Sequence, residues 1–125
     1  MFIFKWMKSL PSPLLKTGFY LLLLAVLVMA LLPVEEEGPA TLVNDKVMHG
    51  LVFLMLAFVM EVLAHPGGEL RYLKPALLLL YGALMEVLQG QTGYRDPSIA
   101  DFIADGVGIA MFYGIASIVR KIEAK

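Results

Sequence analysis

Four apolar stretches follow one another along this chain, at about residues 17–34, 46–64, 75–91 and 97–119, each interrupted by few polar positions. The first runs eighteen residues without a charge between Lys16 and Glu35. As a helix it would reach roughly 27 Å, close to a ~30 Å hydrocarbon core. The second is broken by His49 and Glu61, the third by Glu86, and the fourth by Asp101 and Asp105. Turn-forming residues separate them: Glu35-Glu36-Glu37-Gly38-Pro39, then His65-Pro66-Gly67-Gly68, then the run from 90 to 97. No internal repeat or low-complexity tract is visible. The pattern predicts an all-α membrane protein, a four-transmembrane-helix bundle forming one domain over residues 1–125.

Composition sharpens this. With 59% hydrophobic and 17% charged residues, and a mean hydropathy of +0.78, the chain has too little charge to cover a soluble domain. It has no cysteine, which excludes disulfides, thiol nucleophiles and Cys-ligated metals. A net charge of -1 gives no reason to expect a nucleic-acid partner. Lys5, Lys8 and Lys16 give the first span the basic flank of a secretory leader. Residues 29–34 offer no small-x-small cleavage site, however, and Pro33 interrupts them, so a retained anchor is expected.

Orientation follows from the ten Lys and Arg residues. Lys5, Lys8, Lys16, Arg71, Lys74, Arg120, Lys121 and Lys125 fall on one side of the predicted map, and Lys46 and Arg95 on the other. The crowded side is expected to be cytoplasmic, giving an N-in/C-in topology. Trp6, Tyr20, Tyr72 and Tyr94 sit near span ends, where amphipathic rings favour the interface. Asp96-Pro97 reads as an N-cap and first helical position for span four, and Asn44 or Asp45 as a cap for span two. Both helix N-termini would then face outward. Span four also carries small residues at four-residue spacing, Ala100, Ala104, Gly108 and Gly106, Ala110, Gly114, read first as close-packing stripes.

The polar residues inside the spans do not scatter. Asp45 and His49 share a face of span two, Glu86 and Gln89 a face of span three, and Asp101, Asp105 and Gly108 a face of span four. Spans two and four enter from outside, which puts His49 and Asp105 one to three turns below the outer surface. Glu86 follows Lys74 by twelve residues, or roughly 18 Å of helix. All therefore fall in the outer half, beneath Lys46 and Arg95. Ionisable groups there cost on the order of 2.5–3.5 kcal/mol each near the centre, so their convergence points to one site. A structural ion network tying three helices together competes with that reading. Glu61 reads as interfacial, His65 as solvated in the inner loop without an acidic partner, and Glu35, Glu36 and Glu37 as a solvated outer loop.

The candidate roles are as follows. His49, Glu86, Asp101 and Asp105 are candidate acid/base residues. Lys46 and Arg95, beside two helix N-termini, suit a phosphate or carboxylate, with Gln89 and Ser98 as further substrate contacts. Asp45, His49, Glu86, Asp101 and Asp105 are candidate ligands for a divalent cation. No Walker loop, Gly-x-Ser-x-Gly elbow or His-Glu-x-x-His is present.

Three pieces carry a resemblance: Asp45-Lys46-x-x-His49; Tyr81 with Glu86-x-x-Gln89; and Arg95-x-x-Ser98-x-x-Asp101-x-x-x-Asp105-x-x-Gly108. Over about residues 44–114 the chain resembles the VanZ-like family of small bacterial membrane proteins, named for a member linked to teicoplanin resistance. Phe53 stands where the family often has tyrosine, and Asp105 where it usually has asparagine. The resemblance implies a multi-pass protein of the bacterial cytoplasmic membrane, with glycopeptide resistance in some relatives, and it supplies no reaction. The expected function is binding or processing of an anionic envelope lipid or its headgroup from the outer leaflet, by an enzyme or a binding protein. The alternatives are a small proton-coupled exporter and a structural accessory subunit. A midplane acid and little Lys/Arg bias would mark the exporter.

Overall fold

The computed structural model describes residues 9–32, 39–66, 72–93 and 98–124, with side chains in the second stretch described from residue 46 onward. Among these residues the protein is all-helical: α1 (Ser12–Leu31), α2 (Pro39–Phe58), a π-helical continuation of α2 (Val59–Ala64), α3 (Leu73–Gln91) and α4 (Ile99–Glu123). Four segments are long and apolar enough to cross a membrane, Ser12–Leu31, Lys46–Ala64, Leu73–Gln91 and Ile99–Glu123.

Side-chain pairings fix the relative directions. Lys46 meets Asp101, His49 meets Asp105 and Glu61 meets Tyr113, so α2 and α4 run the same way. Tyr81 reaches Leu23 and Gln89 reaches Ala30, so α1 and α3 are parallel to each other. Tyr20 with His65 and Lys74 with Glu61 join the beginnings of α1 and α3 to the end of α2, so both run opposite to it. The bundle is up-down-up-down, with the start of α1 and the end of α4 at one end.

The radial pattern is inverted relative to a water-soluble bundle. Large apolar side chains such as Leu21, Leu24, Met29, Leu80, Leu84, Ile103 and Ile118 point outward and are exposed, while Lys74, Glu86, Gln89, Asp101 and Asp105 are buried. Water would penalise such an apolar coat. A lipid surround removes that penalty and makes polar groups seek the interior. The chain is therefore a multi-pass membrane protein. A small apolar core of Phe19, Phe53, Leu56, Met60, Leu78, Met85 and Ile109 fills the centre.

The closest helix pair is α2 with α4. A Cβ on Gly108 would collide with the Gly50 carbonyl oxygen, so glycine here sets the backbone approach. The other stripe does not pack in this way: a Cβ on Gly114 would meet nothing, and Ala110 is exposed.

Two expected caps differ from those observed. Helix α4 begins at Ile99, with Ser98 as N-cap accepting from the Asp101 backbone N–H. The expected Asp96 cap and Pro97 lie outside the described residues. Helix α2 begins at Pro39, so Asn44 and Asp45 are helical positions, not caps. A serine hydroxyl followed three residues later by an acid is itself a strong start signal, and the preceding Asp-Pro pair masked it.

Candidate functional site

The site is assembled where the C-terminal part of α3 meets the first turns of α4 and the middle of α2. Lys46 Nζ donates to Asp101 Oδ1 at 3.1 Å. One turn further along both helices, His49 Nδ1 lies 2.8 Å from Asp105 Oδ1, and His49 Nε2 lies 3.9 Å from Asp101 Oδ2. The i, i+4 spacing that puts Asp101 above Asp105 also puts the imidazole between them. Asp105 is 0% exposed. Gly82 of α3 admits it, since a Cβ there would lie 3.0 Å from Asp105 Oδ2.

Glu86 comes from α3. The backbone N–H of Ser98 donates to its Oε2 at 2.9 Å, so the anion held at the N-terminus of α4 is the protein's own carboxylate. Glu86 is 8% exposed, and its Oε1 is buried without a hydrogen-bond partner. One ligand atom each from His49, Glu86 and Asp105 lie within 4.8 Å of one another. Asp101 stands behind this trio, and Lys46 caps the exposed edge with its side chain 41% exposed.

The remaining sequence candidates fall differently. Gln89 uses Nε2 to donate to the Ala30 carbonyl at 2.8 Å, which ties α3 to α1. Ser98 Oγ accepts from the Asp101 N–H at 3.4 Å and acts as a helix cap. Arg95 and the side chain of Asp45 lie outside the described residues. The expected electropositive mouth of two helix N-termini is reduced to one: α2 starts about two turns before Lys46, and the α4 terminus is occupied by Glu86.

Two cavities flank the cluster. One of ≈160 Å³ opens beside α1 and is lined by Val26, Met48, Val52 and Met85, with His49 and Gln89 as polar contributors. The other, of ≈340 Å³, lies against Glu86, Ser98 and Phe102.

A second polar cluster, at the opposite end of the bundle, has a different character. Lys74 Nζ is 2.7 Å from Glu61 Oε2 and donates to the His65 carbonyl at 2.8 Å. The Tyr113 hydroxyl donates to Glu61 Oε2 at 3.2 Å, and an Arg120 guanidinium nitrogen is 3.6 Å from Glu61 Oε1. Glu61, expected at the interface, has a side chain only 12% exposed. The widened π turn carries it inward, and the His65 N–H closes that turn on the Met60 carbonyl at 2.8 Å. His65, expected to be solvated, meets the Tyr20 hydroxyl at 2.9 Å. Burial and then the charges of Lys16 and Lys74 hold its pKa below the ordinary 6.5.

Sequence reasoning missed Gly50, Gly82 and the Glu61–Lys74 pair. Opposite charges bracketing the short connection between spans two and three were the available signal for that pair. Comparison with known proteins returned no match: no family model, curated protein or solved structure matches the chain.

Proposed function

We propose that this chain is a VanZ-like integral membrane protein of the bacterial cytoplasmic membrane, with both termini cytoplasmic, whose outer-leaflet polar site binds or processes an anionic envelope lipid or its headgroup. The observation that carries this reading is the Lys46–Asp101–His49–Asp105 chain, set beside Glu86 and flanked by a largely apolar cavity. An apolar slot ending on polar groups suits an amphiphile, with the acyl or prenyl chain along Val26, Val52 and Met85 and the headgroup at His49. Lys46, on the exposed edge, is the described cation nearest an incoming anion. His49 Nδ1 and Asp105 Oδ1 lie at hydrogen-bond distance, 2.8 Å, an arrangement suited to acid/base work on a headgroup bond. The eight-to-two Lys/Arg distribution supports the orientation.

The tests are separate. A reporter fused after Lys125 should read cytoplasmic and one in the loop at residues 35–38 external; the reverse at either place overturns the orientation. Purified protein in nanodiscs should retain anionic over zwitterionic lipid. Lys46→Met should weaken retention, and His49→Ala should damage any headgroup turnover more than it damages retention. Equal retention of both lipid classes by wild type overturns the lipid reading. Expression in a teicoplanin-susceptible host tests the resistance role, which an unchanged inhibitory concentration would exclude.

A further inference from the structure

We propose that His49, Glu86 and Asp105 form a binding site for one divalent transition-metal ion of the Zn²⁺ or Mn²⁺ type. Their ligand atoms already lie within 4.8 Å of one another, and the His49 Nδ1 to Asp105 Oδ1 separation is 2.8 Å. Adjacent ligands ~2.1 Å from an ion stand about 3.4 Å apart in a tetrahedral shell and about 3 Å apart in an octahedral one, so a metal replacing the proton between these two atoms needs them to part by about 0.2–0.6 Å. Glu86 has to approach further. It is poised to do so, because the Ser98 N–H holds Oε2 while Oε1 is buried with no partner.

That orphan oxygen is the independent sign of a ligand. A buried acceptor left unsatisfied costs ~1–3 kcal/mol, and more when charged, and inside a membrane water does not reliably relieve it. Charge points the same way. Among the described side chains, Glu86, Asp101 and Asp105 surround one imidazole with Lys46 at the edge, so the cluster is acidic and attracts a cation. An imidazole with two carboxylates selects Zn²⁺ or Mn²⁺ over Ca²⁺ and Mg²⁺, which take oxygen ligands. With Nδ1 on the metal, Nε2 carries the proton and faces Asp101 Oδ2 at 3.9 Å. A carboxylate hydrogen-bonded to a ligating imidazole fixes its tautomer and raises its basicity; Asp101, held by Lys46, stands beyond hydrogen-bond length and has to close by roughly 1 Å to do so.

The inference deepens the lipid reading in one respect: an acidic cluster repels an anionic headgroup unless a cation stands between them, and the metal supplies that bridge. The metal site itself rests on the three side chains alone.

The experiment uses tag-free full-length protein in phosphatidylcholine nanodiscs, stripped with chelator and dialysed against Zn²⁺ or Mn²⁺, with bound metal counted by mass spectrometry. Wild type should take up one equivalent per chain and should not do so from Ca²⁺ or Mg²⁺ alone. His49→Ala and Glu86→Gln should each lose at least ~10-fold in affinity. His65→Ala, at the opposite end, should keep the full equivalent. Glu86→Gln nearly preserves shape, so its loss counts as site loss when its helix content matches wild type. Absence of stoichiometric Zn²⁺ and Mn²⁺ uptake by wild type, or unchanged uptake by Glu86→Gln, overturns the site. Repeating the measurement in phosphatidylglycerol nanodiscs separates the two claims. Metal uptake without anionic-lipid preference sinks the lipid reading alone, and lipid preference without metal uptake sinks the metal site alone.

Discussion

Each end of the bundle buries a glutamate, and the two are served in opposite ways. Glu61 has Lys74 and Tyr113 on one carboxylate oxygen and Arg120 near the other. Glu86 has a backbone N–H on one oxygen and nothing on the other. The first is a closed clamp joining the end of α2 to α3 and α4. Its partners offset the cost of burying charge, and removing one exposes that cost. The second leaves acceptor capacity unused in a place where unused capacity is expensive, which a structural role does not explain. Burial alone therefore does not distinguish the two ends, whereas the count of satisfied carboxylate oxygens does.

The strongest way to break this contrast is Lys74→Met. It removes the main partner of Glu61 while nearly conserving volume, and it should cost ~3–5 kcal/mol of stability, read as a large fall in the unfolding midpoint in detergent. A midpoint near that of wild type would deprive the clamp of its structural role. Gly108→Ala attacks the seam between the two ends. Its methyl group would strike the Gly50 carbonyl, so α2 and α4 must separate, at roughly 1–3 kcal/mol. Because Lys46 and His49 stand on one of these helices and Asp101 and Asp105 on the other, ligand retention at the Glu86 end should fall with it. Unchanged retention would show that the seam does not position the site.

The smallest expected effect sharpens the clamp end. The folded-state pKa of His65 lies below the ordinary 6.5, through burial and the nearby Lys16 and Lys74 charges. The unfolded chain then binds this proton more readily than the folded one. The associated stability is present above about pH 6.5 and is lost as pH falls toward the lower folded value. Comparing midpoints of wild type and His65→Gln across that window should show a slightly shallower decline in the variant. An NMR titration giving His65 an ordinary or elevated pKa would contradict it.

The spans were legible from hydropathy, since a charge-free run of helical length has few other uses. Four-residue spacing put Asp101 and Asp105 on one face and Asp45 and His49 on another, with Lys46 at the rim. The structure brings Lys46, His49, Asp101 and Asp105 together with Glu86, while the Asp45 side chain lies outside the described residues. Depth was less legible. Counting a uniform helical rise from Lys74 treated that lysine as a boundary marker, whereas it is 0% exposed and faces Glu61. The π turn that redirects Glu61 leaves no mark in hydrophobic periodicity. Gly82, alone in an apolar run, gave no sign that it makes room for an aspartate, because close approach is a property of two helices and not of one sequence segment.

The central claim is that the Glu86 end is built for a ligand and the Glu61 end for the fold. The most direct measurement is the unfolding midpoint of wild type, Glu86→Gln and Glu61→Gln in chelator, repeated with saturating Zn²⁺. In chelator, Glu86→Gln should match or exceed wild type while Glu61→Gln falls well below it. Zn²⁺ at about 100 times the wild-type dissociation constant should add ~2.7 kcal/mol to wild type and at most about 1.4 kcal/mol to Glu86→Gln. A loss for Glu86→Gln as large as that for Glu61→Gln, with no response of wild type to the metal, would contradict the account and make both ends structural.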